Sequence, residues 1–244
     1  VSSPKGTLAQ NGYTITVRAT SDDGTTTYNR NVFLNVEQIF EVSVSVTAGS
    51  DSTQSGDPRD SLSYLITVKN KGNGDDTANL ALEGANADWG SIIEDVDLEA
   101  DESITVNLTV SIDEDANFGD YSITVNGSSD ESDTATYDTT SVTVTVNKEY
   151  QVDLLINEAQ KSGDAGGIVV FEILVMNKGT GEDTILLSVD ERPSGWVANF
   201  NLTQVSIEAG GEVLVNLTLE VKDKEDDLEF YVNITAISDG AKEE

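Results

Sequence analysis

The sequence predicts an all-β chain built as tandem antiparallel sandwiches, and three observations predict it. Apolar residues alternate at every second position through most of the chain, turn-forming clusters punctuate those runs, and one long block of sequence occurs twice. No stretch carries the 3.6-residue apolar period of a helix.

The duplication organises everything else. Asn70-Lys71-Gly72-Asn73-Gly74-Asp75-Asp76-Thr77 returns as Asn177-Lys178-Gly179-Thr180-Gly181-Glu182-Asp183-Thr184, 107 residues later, and Trp89 returns as Trp196 at the same spacing. Leu98-Glu99-Ala100 with Val106-Asn107-Leu108-Thr109-Val110 returns as Ile207-Glu208-Ala209 with Val215-Asn216-Leu217-Thr218-Leu219, now 109 residues on, so two residues are inserted in the loop after Trp196. Gly12-Tyr13-Thr14-Ile15-Thr16-Val17 aligns with Gly119-Asp120-Tyr121-Ser122-Ile123-Thr124-Val125, and Phe230-Tyr231-Val232-Asn233-Ile234-Thr235 is a third version. The expected organisation is therefore 1–37 as the C-terminal strands of a truncated repeat, 38–147 as a complete repeat, and 148–244 as a repeat lacking its last strand. With Val1 in place of a methionine, the chain reads as a piece of a longer array.

Within the complete repeat the strands follow in order. Phe40, Val42, Val44 and Val46 alternate with Glu41, Ser43 and Ser45; Leu62, Tyr64, Ile66 and Val68 come next; Ala78 to Leu82 and Ile92 to Leu98 supply two more. Ile104 to Ile112, Tyr121 to Val125 and Val142 to Val146 complete the set. Alternation at this period gives each strand one buried face. The loops between them carry turn residues, as in Gly84-Ala85-Asn86 and Asp113-Glu114-Asp115-Ala116-Asn117. About seven short strands in a repeat of about 110 residues is the pattern of an immunoglobulin-like antiparallel sandwich, here without its cysteine pair. At the ends, the strand Phe230 to Ile237 lacks the partner that Thr140 to Val146 provides, and Gly12 to Val36 is expected to form a hairpin with an uncovered apolar face.

Composition excludes whole classes of function. The 244 residues hold 45 Asp and Glu against 13 Lys and Arg, a net charge of −32, so nucleic acid and anionic lipid would both be repelled. The absence of His and Cys removes Ser/His/Asp and Cys/His nucleophiles, the usual zinc ligands and disulfides. The longest apolar run, Ile168 to Met176, is broken by Glu172 and is about half the roughly 20 residues that span a bilayer, so no membrane insertion by this segment is expected. The acidic, lysine-poor surface suits a salty medium, in which carboxylate repulsion is screened.

Val68-Lys69-Asn70-Lys71-Gly72, Asp76-Thr77, Trp89, Leu98-Glu99-Ala100-Asp101-Glu102-Ser103 and Ala116-Asn117-Phe118-Gly119-Asp120-Tyr121-Ser122-Ile123-Thr124-Val125 together resemble the CARDB-like and alpha-galactosidase-associated Ig-fold repeats that occur in tandem in archaeal and bacterial surface proteins. Gly195-Trp196 and Gly211-Glu212 fit that pattern, whereas Asp88-Trp89 departs from it. The resemblance covers nearly the whole chain and implies a non-catalytic spacer, adhesion or assembly module.

Candidate sites are few, and no catalytic, cofactor-binding or metal-ligating set is assigned. A glycosidase needs two acids facing each other across a cleft, one kept protonated by apolar surroundings; here the acids fall in turns and on outward strand positions, so no enzyme is expected. Asp23-Gly24-Thr25 reads as a turn. Calcium is the one cofactor the composition admits, through Asp113-Glu114-Asp115 or Asp130-Glu131-Ser132-Asp133. Asn107, Asn126, Asn201, Asn216 and Asn233 head Asn-X-Ser/Thr sequons and are candidates for N-glycosylation. Trp89 and Trp196 either plug the open end of a sandwich or offer sugar-stacking platforms, and the plug is preferred. The expected function is that of a non-catalytic structural or spacer module in a larger extracellular or cell-surface protein, serving a stalk, adhesion or surface-layer assembly. Its expected partners are neighbouring repeats of the same chain, other surface proteins or glycans. The alternative is a ligand-binding accessory module of a carbohydrate-active or other secreted enzyme.

Overall fold

The structure, a computed structural model, describes residues 4, 6–130, 137–222 and 229–240. The chain divides into two compact units, Val1–Asp113 with Asp120–Thr145, and Glu114–Gly119 with Val146–Glu244.

The first unit opens with a hairpin, β1 (Gln10–Thr20) and β2 (Thr27–Val36). It continues with β3 (Val42–Val46), β4 (Thr53–Gly56), β5 (Ser61–Asn70), β6 (Asp76–Glu83), a 3-10 turn (Ala87–Trp89), β7 (Gly90–Ser91), β8 (Asp95–Leu98), β9 (Ser103–Ser111), β10 (Gly119–Ser129) and β11 (Tyr137–Val146). Strands β3 to β11 form two facing sheets of order β3-β5-β9-β7 and β4-β11-β10-β6-β8, the immunoglobulin-like arrangement expected. The alternation found in the sequence is the alternation of burial: Tyr64, Ile66 and Val68 of β5, Leu108 and Val110 of β9, and Val142, Val144 and Val146 of β11 have no exposed surface. Burying a side chain of this kind contributes about 1.5–3 kcal/mol, so these inner faces hold the sandwich together.

Two details differ from the sequence reading. Only Asp95–Leu98 of the run Ile92 to Leu98 is strand, paired with β6 in one sheet; before it Gly90–Ser91 pairs with β9 in the other, and Ile92 to Glu94 join the two. The chain crosses between sheets there, and period-2 patterning says nothing about sheet membership. Strand β4 was not foreseen because Thr-Gln-Ser-Gly has no apolar alternation; it rests on the flank of β11, with Gln54 donating to the Ser63 carbonyl.

The second unit contains β12 (Val152–Leu155), β13 (Ile168–Asn177), β14 (Asp183–Glu191), β15 (Val197–Phe200), β16 (Gln204–Ile207), β17 (Glu212–Glu220) and β18 (Asn233–Ser238). Its sheets have the orders β12-β13-β17-β15 and β16-β14-β18. These repeat β3-β5-β9-β7 and β8-β6-β10 strand for strand. Among the described residues, nothing corresponds to β4 or β11. Strand β18 starts three residues later than the sequence suggests, because Phe230 to Val232 lie outside the ladder. The core of this unit is Ile173, Val175, Ile185, Leu187, Val205, Ile207, Val215, Leu217 and Leu219.

Candidate functional site

The duplicated Asn-Lys-Gly block is the most elaborate polar structure in each unit. Asn70, the last residue of β5, is fully buried. Its Nδ2 donates to the carbonyls of Gly74 (2.8 Å), Leu98 (3.2 Å) and Glu99 (3.1 Å), while its Oδ1 accepts from Gly72 N–H (2.8 Å). Asn177 repeats the pattern, donating to Gly181 (2.9 Å) and Ile207 (2.8 Å) and accepting from Gly179 N–H (2.8 Å). A buried amide with so many partners satisfies backbone groups that a loop would otherwise leave orphaned. It also fixes the shape of the loop.

That loop grips the segment entering the repeat. In the first unit Lys71 N–H donates to the Glu41 carbonyl and Asn73 N–H to that of Ile39; in return Ile39 N–H donates to Asn73 Oδ1 (2.7 Å). Asn73 Nδ2 also reaches the carbonyls of Glu37 and Thr7. In the second unit Lys178 N–H donates to Gln151 and Thr180 N–H to Glu149, Glu149 N–H donates to Thr180 Oγ1 (2.7 Å), and Thr180 Oγ1 donates to the Asn147 carbonyl (2.9 Å). The glycines are required by close approach: a Cβ on Gly72 would lie 2.2 Å from the Ile39 carbonyl oxygen, and one on Gly179 would lie 2.3 Å from that of Glu149. Sequence reasoning used this block as a repeat marker and a turn. Asn73 and Thr180 were missed as clamp residues, although their place in the duplicated block was the available signal.

Next to the clamp, Asp76 and Asp183 open β6 and β14 as buried carboxylates. Asp76 Oδ1 accepts from Ser129 Oγ (2.8 Å), whereas Asp76 Oδ2 and Asp183 Oδ2 have no hydrogen-bond partner among the described residues. Among the described residues no three acids converge to hold a metal ion. Asp113, Glu114 and Asp115 are exposed to solvent; of the other calcium candidate, Asp130 is exposed and Glu131, Ser132 and Asp133 lie outside the described residues.

The two tryptophans occupy matching places. Trp89 closes the 3-10 turn and packs on Tyr121 with ring centroids 4.7 Å apart; Trp196 packs on Phe230 at 5.2 Å and against the core of its unit. Trp196 Nε1 is buried without a partner among the described residues, and Arg192 Nε donates to the Trp196 carbonyl. An open groove of about 1150 Å³ lies here, lined by Asp190, Arg192, Trp196, Phe230 and Tyr231 among others. Tyr231 is 79% exposed.

The sequons are spread over both units. Asn107 on β9, Asn201 after β15 and Asn233 on β18 are exposed, while Asn126 on β10 and Asn216 on β17 are half-buried. Asn126 donates to Glu83 and Asn233 to Glu191, and Asn201 Oδ1 accepts from Asn216 N–H.

No family model matches the sequence, and comparison with curated proteins finds no match. Among solved structures, the chain is similar to a protein of unknown function from Porphyromonas gingivalis W83 (19% identity, 73% of this chain and 83% of that one, TM-score 0.34). It is also similar to the D0-D1 domain of intimin (10% identity, 83% and 92%, TM-score 0.30) and to the YadV chaperone (10% identity, 82% and 94%, TM-score 0.31). The class is set by the chain's own topology: a protein of repeated immunoglobulin-like antiparallel sandwiches.

Proposed function

We propose that this chain is a non-catalytic structural or spacer module of a larger extracellular or cell-surface protein, related to the CARDB-like repeats. The observation that supports this reading is the duplicated clamp. Two units with different strand complements spend the same buried asparagine, the same pair of glycines and the same backbone bonds on holding the segment that enters them. A module that carries load or sets a distance needs that segment fixed, whereas an enzyme or a lone binding domain does not. Among the described residues no helix is long and apolar enough to cross a membrane.

The test is backbone ¹⁵N relaxation of Asn147 to Gln151. Order parameters near those of the strands, about 0.85, are expected, and values below about 0.6 would overturn the spacer reading. The groove beside Trp196 favours the second reading, an accessory ligand site in which Tyr231 stacks on a neutral sugar. Quenching of Trp196 fluorescence by oligosaccharides, lost in Tyr231→Ala, would establish it.

A further inference from the structure

The sheet β12-β13-β17-β15 of the second unit has the same four strands, in the same register, as β3-β5-β9-β7 of the first, so their outer faces can be compared position by position. In the first unit one row across three strands reads Ser45, Thr67, Thr105, with Ser45 paired to Thr67 and Thr67 to Thr105. In the second unit the same row reads Leu155, Leu174, Leu214, with Leu155 paired to Leu174 and Leu174 to Leu214. Beside that row Met176 stands where the first unit has Lys69, and further along β13 Val170 stands where β5 has Ser63.

These leucines do not belong to the core. Ile173, Val175 and Val215 point inward with no exposed surface, and the leucines alternate with them on the opposite face, Leu155 at 46% and Leu214 at 55% exposure. The ladder does not need them, because the first unit builds the same pairing with hydroxyls. Leucines exposed singly are ordinary, whereas three in one cross-strand row backed by a methionine make a patch. The charges around the patch have one sign. Strands β12, β13, β15 and β17 contain no Lys or Arg, Lys178 and Lys222 lying past the strand ends, and their acids Asp153, Glu172, Glu212 and Glu220 are exposed. Glu172 stands on one side of the leucine row; Asp153 and Glu212, which flank Met176 across the ladder, stand on the other. The matching strands of the first unit, β3, β5, β7 and β9, contain no Asp or Glu at all.

We infer that this face of the second unit is a docking surface for an amphipathic helix that carries Lys or Arg on both sides of its apolar stripe. Neighbouring strands lie about 4.8 Å apart, so the leucine row is about 10 Å long. Apolar residues at i, i+4 and i+7 of a helix span about 10.5 Å, which lets such a helix lie along the row, across the strands. The next outward positions along each strand are about 7 Å from the row, so Glu172 on one flank and Asp153 with Glu212 on the other meet the charged ends of long basic side chains whose stems cover the leucines. The same charges oppose a second copy of this chain, since each face would bring the same four acids to the contact. The inference goes beyond the spacer reading, which concerns the segment entering the unit.

The probe is a synthetic peptide of roughly 14 leucines and lysines, leucine at every third and fourth position, long enough to form a helix. It is added to the whole chain in about 50 mM NaCl, where charge attraction is little screened, and binding is followed by methyl NMR. The methyl signals of Leu155, Leu174, Leu214 and Met176 should shift, and those of Thr67 and Thr105 should not. Giving the row the residues of the first unit, Leu155→Ser with Leu174→Thr and Leu214→Thr, should weaken binding at least about tenfold. Glu172→Gln with Glu212→Gln keeps the row intact and should weaken binding several-fold, as should raising NaCl to about 0.5 M. Shifts scattered over both units, an affinity that survives the leucine variant, or equal binding by a peptide with glutamate in place of lysine overturns the inference. So does a dimer of the peptide-free chain that the leucine variant abolishes, which would make a second copy the occupant. If the leucine variant does not fold, the methyl map and the glutamine variant decide. Order in Asn147 to Gln151 is read separately, so either proposal can fail without the other.

Discussion

Replacing Gly179 by alanine tests the clamp where it is tightest. The new Cβ would sit 2.3 Å from the Glu149 carbonyl oxygen, inside the 3.0 Å that such contacts respect, and the obstacle is backbone, which no rotamer change relieves. The entering segment has to move. Of the four hydrogen bonds that hold it, three are made by Glu149 and Gln151, at and next to the clash: Thr180 N–H to Glu149 (3.1 Å), Lys178 N–H to Gln151 (2.8 Å) and Glu149 N–H to Thr180 Oγ1 (2.7 Å). At about 0.5–1.5 kcal/mol each, their loss costs about 3 kcal/mol. Against this, alanine stabilises by about 0.4–1 kcal/mol through the unfolded chain, leaving a net loss of about 2 kcal/mol. For a unit of this size that lowers the melting temperature by on the order of 10 °C. Thr180→Val, which removes the hydroxyl bonds without the clash, should give about half the effect. The assay is thermal unfolding in molar NaCl in a Trp89→Phe background, so that Trp196 alone reports. A shift below about 2 °C for Gly179→Ala would mean that the clamp contributes little to stability.

Three further outcomes are expected. The net charge of −32 makes the melting temperature rise with NaCl concentration, and a flat response would refute the electrostatic account. Tyr64→Phe should cost about 1 kcal/mol in urea melts near neutral pH. Burial pushes the Tyr64 phenol above its usual value of 10.0; its contribution is therefore complete below pH 10 and lost as pH rises through the raised value, and Tyr64→Phe should blunt alkaline unfolding. Asp23 accepts hydrogen bonds from Ser21 Oγ, Thr25 N–H and Thr25 Oγ1, which hold its carboxyl down at about 2, from an ordinary 3.8. Its effect on the β1-β2 turn is present above the ordinary value and lost as pH falls through about 2, so the Thr25 amide should titrate near 2 by NMR. A midpoint near 4 would remove those bonds from solution.

What was legible in the sequence was whatever period and punctuation can encode. Strands β5 and β9 appear almost at their observed bounds, and β11 three residues short, because each carries at least three buried residues at alternate positions, and that burial is the alternation. Strand β4 did not appear, since Thr53 to Gly56 are held by the backbone of β11 rather than by apolar packing. The split between β7 and β8 was hidden for a related reason: a chain that crosses from one sheet to the other keeps its alternation, and only ladder partners far along the sequence reveal the crossing. The clamp was legible as a repeated string and illegible as a device, because its acceptors are carbonyls of Glu37, Ile39, Asn147 and Glu149. Carbonyls leave no mark in a sequence. The aromatic pairs were half legible: Trp89 and Trp196 stood out by their spacing, but their partners, Tyr121 on β10 and Phe230 before β18, come from segments that no local pattern brings near.

The comparison of the two units separates what each repeat holds in its own sequence from what it takes from elsewhere. The entrance is self-contained: Asn70 with Gly72 and Asn73, or Asn177 with Gly179 and Thr180, fixes the incoming segment by bonds made within one unit. The far sheet is different. Its inner face is closed in the first unit by β11, and the residue at the centre of that closure is Tyr64, whose hydroxyl reaches a carbonyl of the covering strand. In the second unit the same place holds Phe171, which keeps the apolar ring without a polar tip that would need a partner under any strand laid over it. A buried phenol ties the first unit to one particular strand in one register, while a phenylalanine accepts any strand of the right alternation.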